Sequence, residues 1–187
     1  MVLVGCTHRA PDEIGHDMAD VVVGVDGSMH SLDALRMAVQ QARWRSCGLR
    51  VVYVYEPVRA RAADAAASVM AADVWAGSDV GSGGGLLADA RRRNEEQTAE
   101  AQRAAEGRLR QFVAQLSDDA SDVEIEQHVV ADRHPSSALL SLTDGADLLV
   151  VGSRGLGGFA GLLMGSVSQQ CVQHATCAVL VARPARV

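Results

Sequence analysis

An abrupt change of texture between Asp147 and Val167, DLLVVGSRGLGGFAGLLMGSV, limits what this chain can fold into more than any other stretch. It opens with a continuous apolar run, Leu148 to Val151, which suits a strand covered on both faces in a parallel sheet. From Gly152 the next fourteen positions hold six glycines, Gly152, Gly155, Gly157, Gly158, Gly161 and Gly165. Ser166 and a helical stretch from Val167 to His174 follow. Strand, glycine-rich loop and helix start, in that order, make an anion-binding layout. Glycine lets backbone N–H groups approach an anion closely, and the free N–H groups and positive dipole end of the helix attract its charge. Ser166 adds a hydroxyl donor.

The other segments supply the sheet to which this loop belongs. Val21 to Val25 is a buried parallel strand that ends in Asp26-Gly27-Ser28, and Ser28 or Ser31 caps the helix that follows to about Arg45. Leu32, Leu35, Met37, Val39 and Ala42 form that helix's apolar side. Leu49 to Tyr55 is a second strand by its β-branched and aromatic content. A long, charge-interleaved helix runs from Leu86 to about Leu116, and Asp122 to Val130 alternates as a third strand with one more exposed face. Pro135 leads into a helix over Ser136 to Thr143. Asp147 to Val151 is the fourth strand and Ala178 to Ala182 the fifth. Alternating strands and helices predict a single-domain α/β fold, a parallel five-stranded doubly wound sheet of Rossmann-like form. Asp26 and Gly152 are far apart in sequence, yet they meet if strands one and four are neighbours at the topological switch point, where such sheets bind ligands.

Composition narrows the ligand. Aromatic residues make up 3% of the chain and the formal net charge is −6, which argues against nucleic acid, since neither stacking platforms nor phosphate-neutralising charge is present. No run reaches the length of a membrane span, and Pro11-Asp12-Glu13 breaks any signal-peptide core, so the expected location is cytoplasmic. Four cysteines, Cys6, Cys47, Cys171 and Cys177, show no zinc spacing with the six histidines and read as small, part-buried thiols.

The glycine loop is neither a Walker A loop nor a dinucleotide fingerprint. The spacing that fits is G-x2-G-x9-G-S, on Gly152, Gly155, Gly165 and Ser166. With Val22-Val23-Gly24-Val25-Asp26-Gly27-Ser28 at the first strand, it resembles the universal stress protein family, of the UspA-like, ATP-binding subgroup. The resemblance covers Val21 to the C-terminus, and residues 1–20 and 57–85 depart from it. It implies an adenine nucleotide alpha hydrolase-like sheet of strand order 3-2-1-4-5 and a site for ATP with Mg2+ or Mn2+. Gly152, Gly155, Gly165 and Ser166 would serve ribose and phosphates, Val167 would supply an N–H, and Val54 and Val151 would lie around adenine. Val25 and Asp26 would stand on the ribose side. Arg154 either neutralises phosphate charge or points to solvent. The family further implies a homodimer through the strand Ala178 to Ala182, an edge that self-pairing would cover. The expected role is a stress-response sensor or regulatory module rather than an efficient ATPase, because no base, metal-holding pair and arginine clamp occur together. A slow hydrolase, a cyclic-AMP binder or a ligand-free scaffold are the alternatives.

Several residues invite sharper readings than they support. Asp26 has turn chemistry as its plain role, and its place at a strand's carboxyl end favours a ligand role. His128 reads as a surface or crevice side chain and His134 as part of a helix-entry turn. Arg91 to Arg93, flanked by acids, read as a solvated helix face. Met1 to Asp20 is expected to be a flexible extension, with Met18 a candidate start and His8 and His16 poor metal candidates. Residues 57–85, with Trp75, are expected to be a flexible insertion, a surface helix or a lid.

Overall fold

The computed structural model describes residues 21–57, 83–157 and 164–183. Met1 to Asp20, Trp75 with most of the 57–85 stretch, and Gly158 and Gly161 of the loop lie outside the described residues. The described chain falls into two compact units. One comprises the residues up to Tyr55 with those from Ala105 onward, and the other is Glu56–Ala104.

The first unit is a five-stranded, wholly parallel sheet of order β3-β2-β1-β4-β5, built from β1 (Val21–Val25), β2 (Leu49–Tyr55), β3 (Ile125–Ala131), β4 (Leu148–Gly152) and β5 (Ala178–Ala182). This is the expected 3-2-1-4-5 order. The helices are α1 (Met29–Arg45), α2 (Gly83–Val113), α3 (Pro135–Ser141) and α4 (Ser166–His174). Successive side chains of a strand point to opposite faces, so the unbroken Val and Leu runs of β1 and β4 feed two cores at once. Val21, Val23, Val51, Leu148 and Val150 join the α1 side with Leu35, Leu109 and Phe112. Val22, Val52, Leu149, Val151 and Val179 join the other side with Leu139 and Cys171. Crossovers therefore cover both faces, and β1 and β4 sit side by side, with Gly24 opposite Val151. Chain leaving β1 packs on one face and chain leaving β4 on the other, which opens a crevice between their carboxyl ends.

Ser28 caps α1, its hydroxyl accepting from the Ser31 N–H at 3.2 Å. The helix closes at Ser46, whose left-handed φ of 55° turns its N–H back to the Ala42 and Arg43 carbonyls. In α2, Ala105, Leu109 and Phe112 are buried, and Leu116 and Ala120 continue that stripe through a 3-10 segment, Ala114–Ala120. Residues 91–100, in the second unit, are exposed throughout, the arginine run with them.

Among the element boundaries that differ from expectation, two have local reasons. β3 starts at Ile125 rather than Asp122, because its ladder with β2 begins at the Leu49–Ile125 pair and the Val123 N–H turns back to the Ala120 carbonyl at 3.1 Å. Arg43 bonds the Asp122 carboxylate in that turn at 2.7 and 2.6 Å. α3 stops at Ser141 rather than Thr143. The Thr143 hydroxyl donates to the Leu140 carbonyl at 2.8 Å, and Gly145, at a φ of 78°, then turns the chain. Cys47, Cys171 and Cys177 form no disulfide among the described residues, and burial, with Cys177 nearby, pushes the Cys171 thiol up to about 11, leaving it protonated and inert at neutral pH. Among the described residues no helix is long and apolar enough to cross a membrane.

Candidate functional site

The site begins where β1 ends. Gly27, at a φ of 87°, makes a turn that residues with a Cβ adopt only under strain. This turn sends Asp26 across the sheet's carboxyl edge. One carboxylate oxygen accepts from the Ser28 N–H at 3.0 Å, a short-range turn bond. The other accepts from the Leu156 N–H at 2.8 Å, across 130 residues of sequence. Asp26 thus latches the glycine loop after β4 to the end of β1. A Cβ on Gly155 would run into that same carboxylate oxygen, so glycine is what permits the latch.

Burial opposes the charge on Asp26, but hydrogen bonds from Ser28, Leu156 and Ser31 outweigh it and hold the carboxyl below its ordinary value of 3.8. The sign of the consequence follows from that direction. A depressed folded-state value contributes stability above the ordinary range, and this is lost as pH falls through the lower folded value. We expect the stability advantage of the wild type over Asp26→Asn, measured by urea unfolding, to be full near neutrality and to shrink below about pH 4. An advantage unchanged to pH 2.5 would contradict the latch.

The other half of the site is the junction of β4, loop and α4. Gly152 packs against α1 so closely that a Cβ would lie 2.9 Å from the His30 carbonyl carbon and oxygen. The loop is closed at its base by the Gly165 N–H, which donates to the Ser153 carbonyl at 2.8 Å. A second bond, from the buried Ser168 hydroxyl to the Gly152 carbonyl at 2.5 Å, reinforces it. Gly165 begins α4 in an extended conformation, and among the described residues no side chain caps the helix. First-turn N–H groups therefore stay available to an outside acceptor, at the positive end of the dipole.

Between these halves lies a cleft of about 510 Å³, within the usual range for small-molecule sites. Val25, Asp26, Val54, Val151, Gly152, Arg154, Gly155, Gly165, Ser166 and Val167 all line it. The fold brings all these sequence-derived site candidates to one place. His134, 78% exposed beside Asp132, is not among the lining residues, and His128 pairs with Glu126 on β3. The cleft has two characters. Val52, Val54, Pro135, Leu139 and Val151 form an apolar slot, while Asp26, Arg154, Ser166 and the glycine backbone form a polar rim. Such a site suits a flat apolar ring joined to an anion. Among the described residues no group of three or more His, Cys, Asp and Glu is placed to hold a metal ion.

Sequence reasoning missed the other lining residues, among them Gly24, Val52, Pro135, Leu139 and Ser168. Val52 had a signal, because it shares a strand face with Val54 two positions on. Gly24 had one too: a Cβ there would lie 2.7 Å from a Leu139 methyl, so glycine leaves room for that side chain on the cleft wall. Pro135 and Leu139 had none, since only the packing of α3 brings them over β2.

Comparison with known proteins agrees with this architecture. A family model described as Universal stress protein family matches residues 18–72 and 58–183. Universal stress protein Rv2623 of Mycobacterium tuberculosis (strain ATCC 25618 / H37Rv) is 33% identical over 165 residues, which is 88% of this chain and 45% of that protein. The chain thus spans less than half the length of that relative. Among solved structures, a universal stress protein from Archaeoglobus fulgidus aligns with a TM-score of 0.54 at 21% identity, covering 89% of this chain and 98% of the other. UspA from Lactobacillus plantarum aligns at 0.50 and 22%, covering 89% and 99%. With both sequence stretches matched and the sheet order shared, the chain belongs to the universal stress protein family.

Proposed function

We propose that this protein binds ATP in the cleft between β1 and β4 and acts in the cytoplasm as a regulatory module of the stress response. The observation that carries the reading is the uncapped start of α4, set beside a glycine loop closed at its base and an apolar slot. Adenine enters the slot between Val54 and Val151, with ribose by Val25 and Asp26. The phosphates lie along Gly152, Gly155, Gly165 and Ser166 and the Val167 N–H, with Arg154 offsetting their charge. Mg2+ or Mn2+ rides on the phosphates, as no carboxylate cluster among the described residues offers it a cage.

The glycine-loop glycines fit this ligand for a physical reason. At Gly152 and Gly155 a Cβ would meet His30 and Asp26, so glycine there lets the loop pack on the start of α1 and the end of β1 and so present its N–H groups beside the cleft. The assembly we propose is a homodimer through Ala178–Ala182, for β5 is an edge of the sheet and Leu180 and Val181 are only half-buried.

Titration calorimetry with MgATP tests the reading, and we expect one ATP per chain. A ten-fold excess of cyclic AMP should leave most of that ATP in place, because an extended row of N–H donors serves several phosphates better than one. Displacement by cyclic AMP would overturn the triphosphate reading.

A further inference from the structure

Ser168 is a buried polar residue of the cleft, only 4% exposed, that the nucleotide reading leaves without a role. It stands in the first turn of α4, two residues beyond Ser166. Its hydroxyl donates back to the carbonyl of Gly152, sixteen positions earlier, at 2.5 Å. The geometry is that of a clip. Gly152 is the last residue of β4 and the first of the glycine loop, whereas Gly165 and Ser166 begin the helix that ends the loop. Beside the clip, the Gly165 N–H bonds the Ser153 carbonyl at 2.8 Å. Together the two bonds fix where the helix's free N–H groups point relative to the strand end and the Asp26 latch.

We infer that the Ser168 hydroxyl is a positioning group for phosphate recognition, an inference that rests on the nucleotide reading above. The physical argument is preorganisation. A long glycine-rich loop loses much conformational freedom when it closes on a ligand, and a base already closed removes part of that cost. An anion site made of N–H dipoles gains from being held in place beforehand, since the donors then need no reorganisation when charge arrives. Without the hydroxyl, the buried Gly152 carbonyl loses its side-chain donor, and of the two hydrogen bonds described at this junction only the backbone one remains. The apolar slot, on Val52, Val54 and Leu139, is untouched by that change. Loss of Ser168 should therefore be felt by the phosphates and not by the ring.

The experiment compares wild type with Ser168→Ala and with Ser168→Cys, which nearly keeps the volume but removes the strong donor. ATP and adenosine affinities are measured on each, together with hydrogen exchange of the Gly165 amide in the ligand-free protein. We expect both variants to bind ATP roughly 3- to 10-fold more weakly, the worth of one hydrogen bond. Adenosine affinity should stay within about two-fold and the Gly165 amide should exchange about as much faster as ATP binding weakens. Wild-type protein that fails to bind ATP would sink the nucleotide reading itself. Wild type that binds, with variants that lose ATP and adenosine affinity equally or lose neither, would overturn the positioning role alone. So would a Ser168→Cys protein that behaves like wild type, or an unchanged exchange rate at Gly165.

Discussion

Gly152→Val lowers the thermal midpoint by roughly 2–12 °C in the absence of any ligand. The cause is backbone against backbone. The new Cβ would lie 2.9 Å from the carbonyl carbon and oxygen of His30, in the first turn of α1, and a rotamer change cannot relieve that contact. β4 is hydrogen-bonded on both sides, to β1 and β5, and Val150 and Leu149 are fully buried on its two faces, so the strand cannot step away without disturbing both cores. Overpacking of this kind costs about 1–3 kcal/mol, and a domain of this size shifts by about 2–4 °C for each kcal/mol. Gly107→Ala is the internal control. Gly107 lies inside α2 with open space where its Cβ would be, so alanine there should leave the midpoint unchanged or raise it slightly. Scanning calorimetry on both variants checks the pair, and a Gly152→Val protein as stable as wild type would show that α1 and β4 are not packed as described.

Gly155→Val costs the unliganded protein about 1–2 kcal/mol, because the residue itself is exposed but its side chain displaces the part-exposed Asp26–Leu156 bond. Its larger effect falls on the ligand. The Cβ would occupy the place of the Asp26 carboxylate oxygen that holds the Leu156 N–H, so the latch and the side chain cannot coexist. The loop must move off the end of β1, taking its N–H groups with it. A hydrogen bond to a charged group contributes about 1.5–3 kcal/mol, so misplacing one or two of them weakens ATP about 100-fold. Calorimetric titration reads this directly. A variant that binds ATP as wild type does would place the phosphates elsewhere.

The difference between these two glycines also marks what could be read in advance. Their spacing was visible in the sequence, and so was the change from an apolar run to a glycine loop, because a strand covered on both faces has no polar alternate positions to hide it. For the same reason β1 and β5 fall where their apolar runs put them, and β2 falls where its β-branched and aromatic content put it. Other features were not legible. That Gly152 meets α1 while Gly155 meets Asp26 depends on the β1–β4 pairing, a contact between residues remote in sequence. The Asp26 to Leu156 bond is likewise invisible locally, and Asp26 reads equally well as a turn residue until its second oxygen is placed. β3 was misplaced at its start because β2 offers no partner before Leu49, so the alternating pattern that continues through Asp122 turns back to Ala120 instead of pairing. Ser168 gave no signal at all, since a serine in a helix's first turn is ordinary and only the fold aims it at Gly152.

Native mass spectrometry of the purified full chain, incubated with MgATP, tests the central claim most directly, since it reads ligand mass, stoichiometry and assembly in one spectrum. The account predicts a dimer carrying two ATP masses with divalent metal, and loss of those adducts in the Gly155→Val protein. A bare chain that takes up no nucleotide at millimolar MgATP would contradict it, and the cleft between β1 and β4 would then need a different ligand.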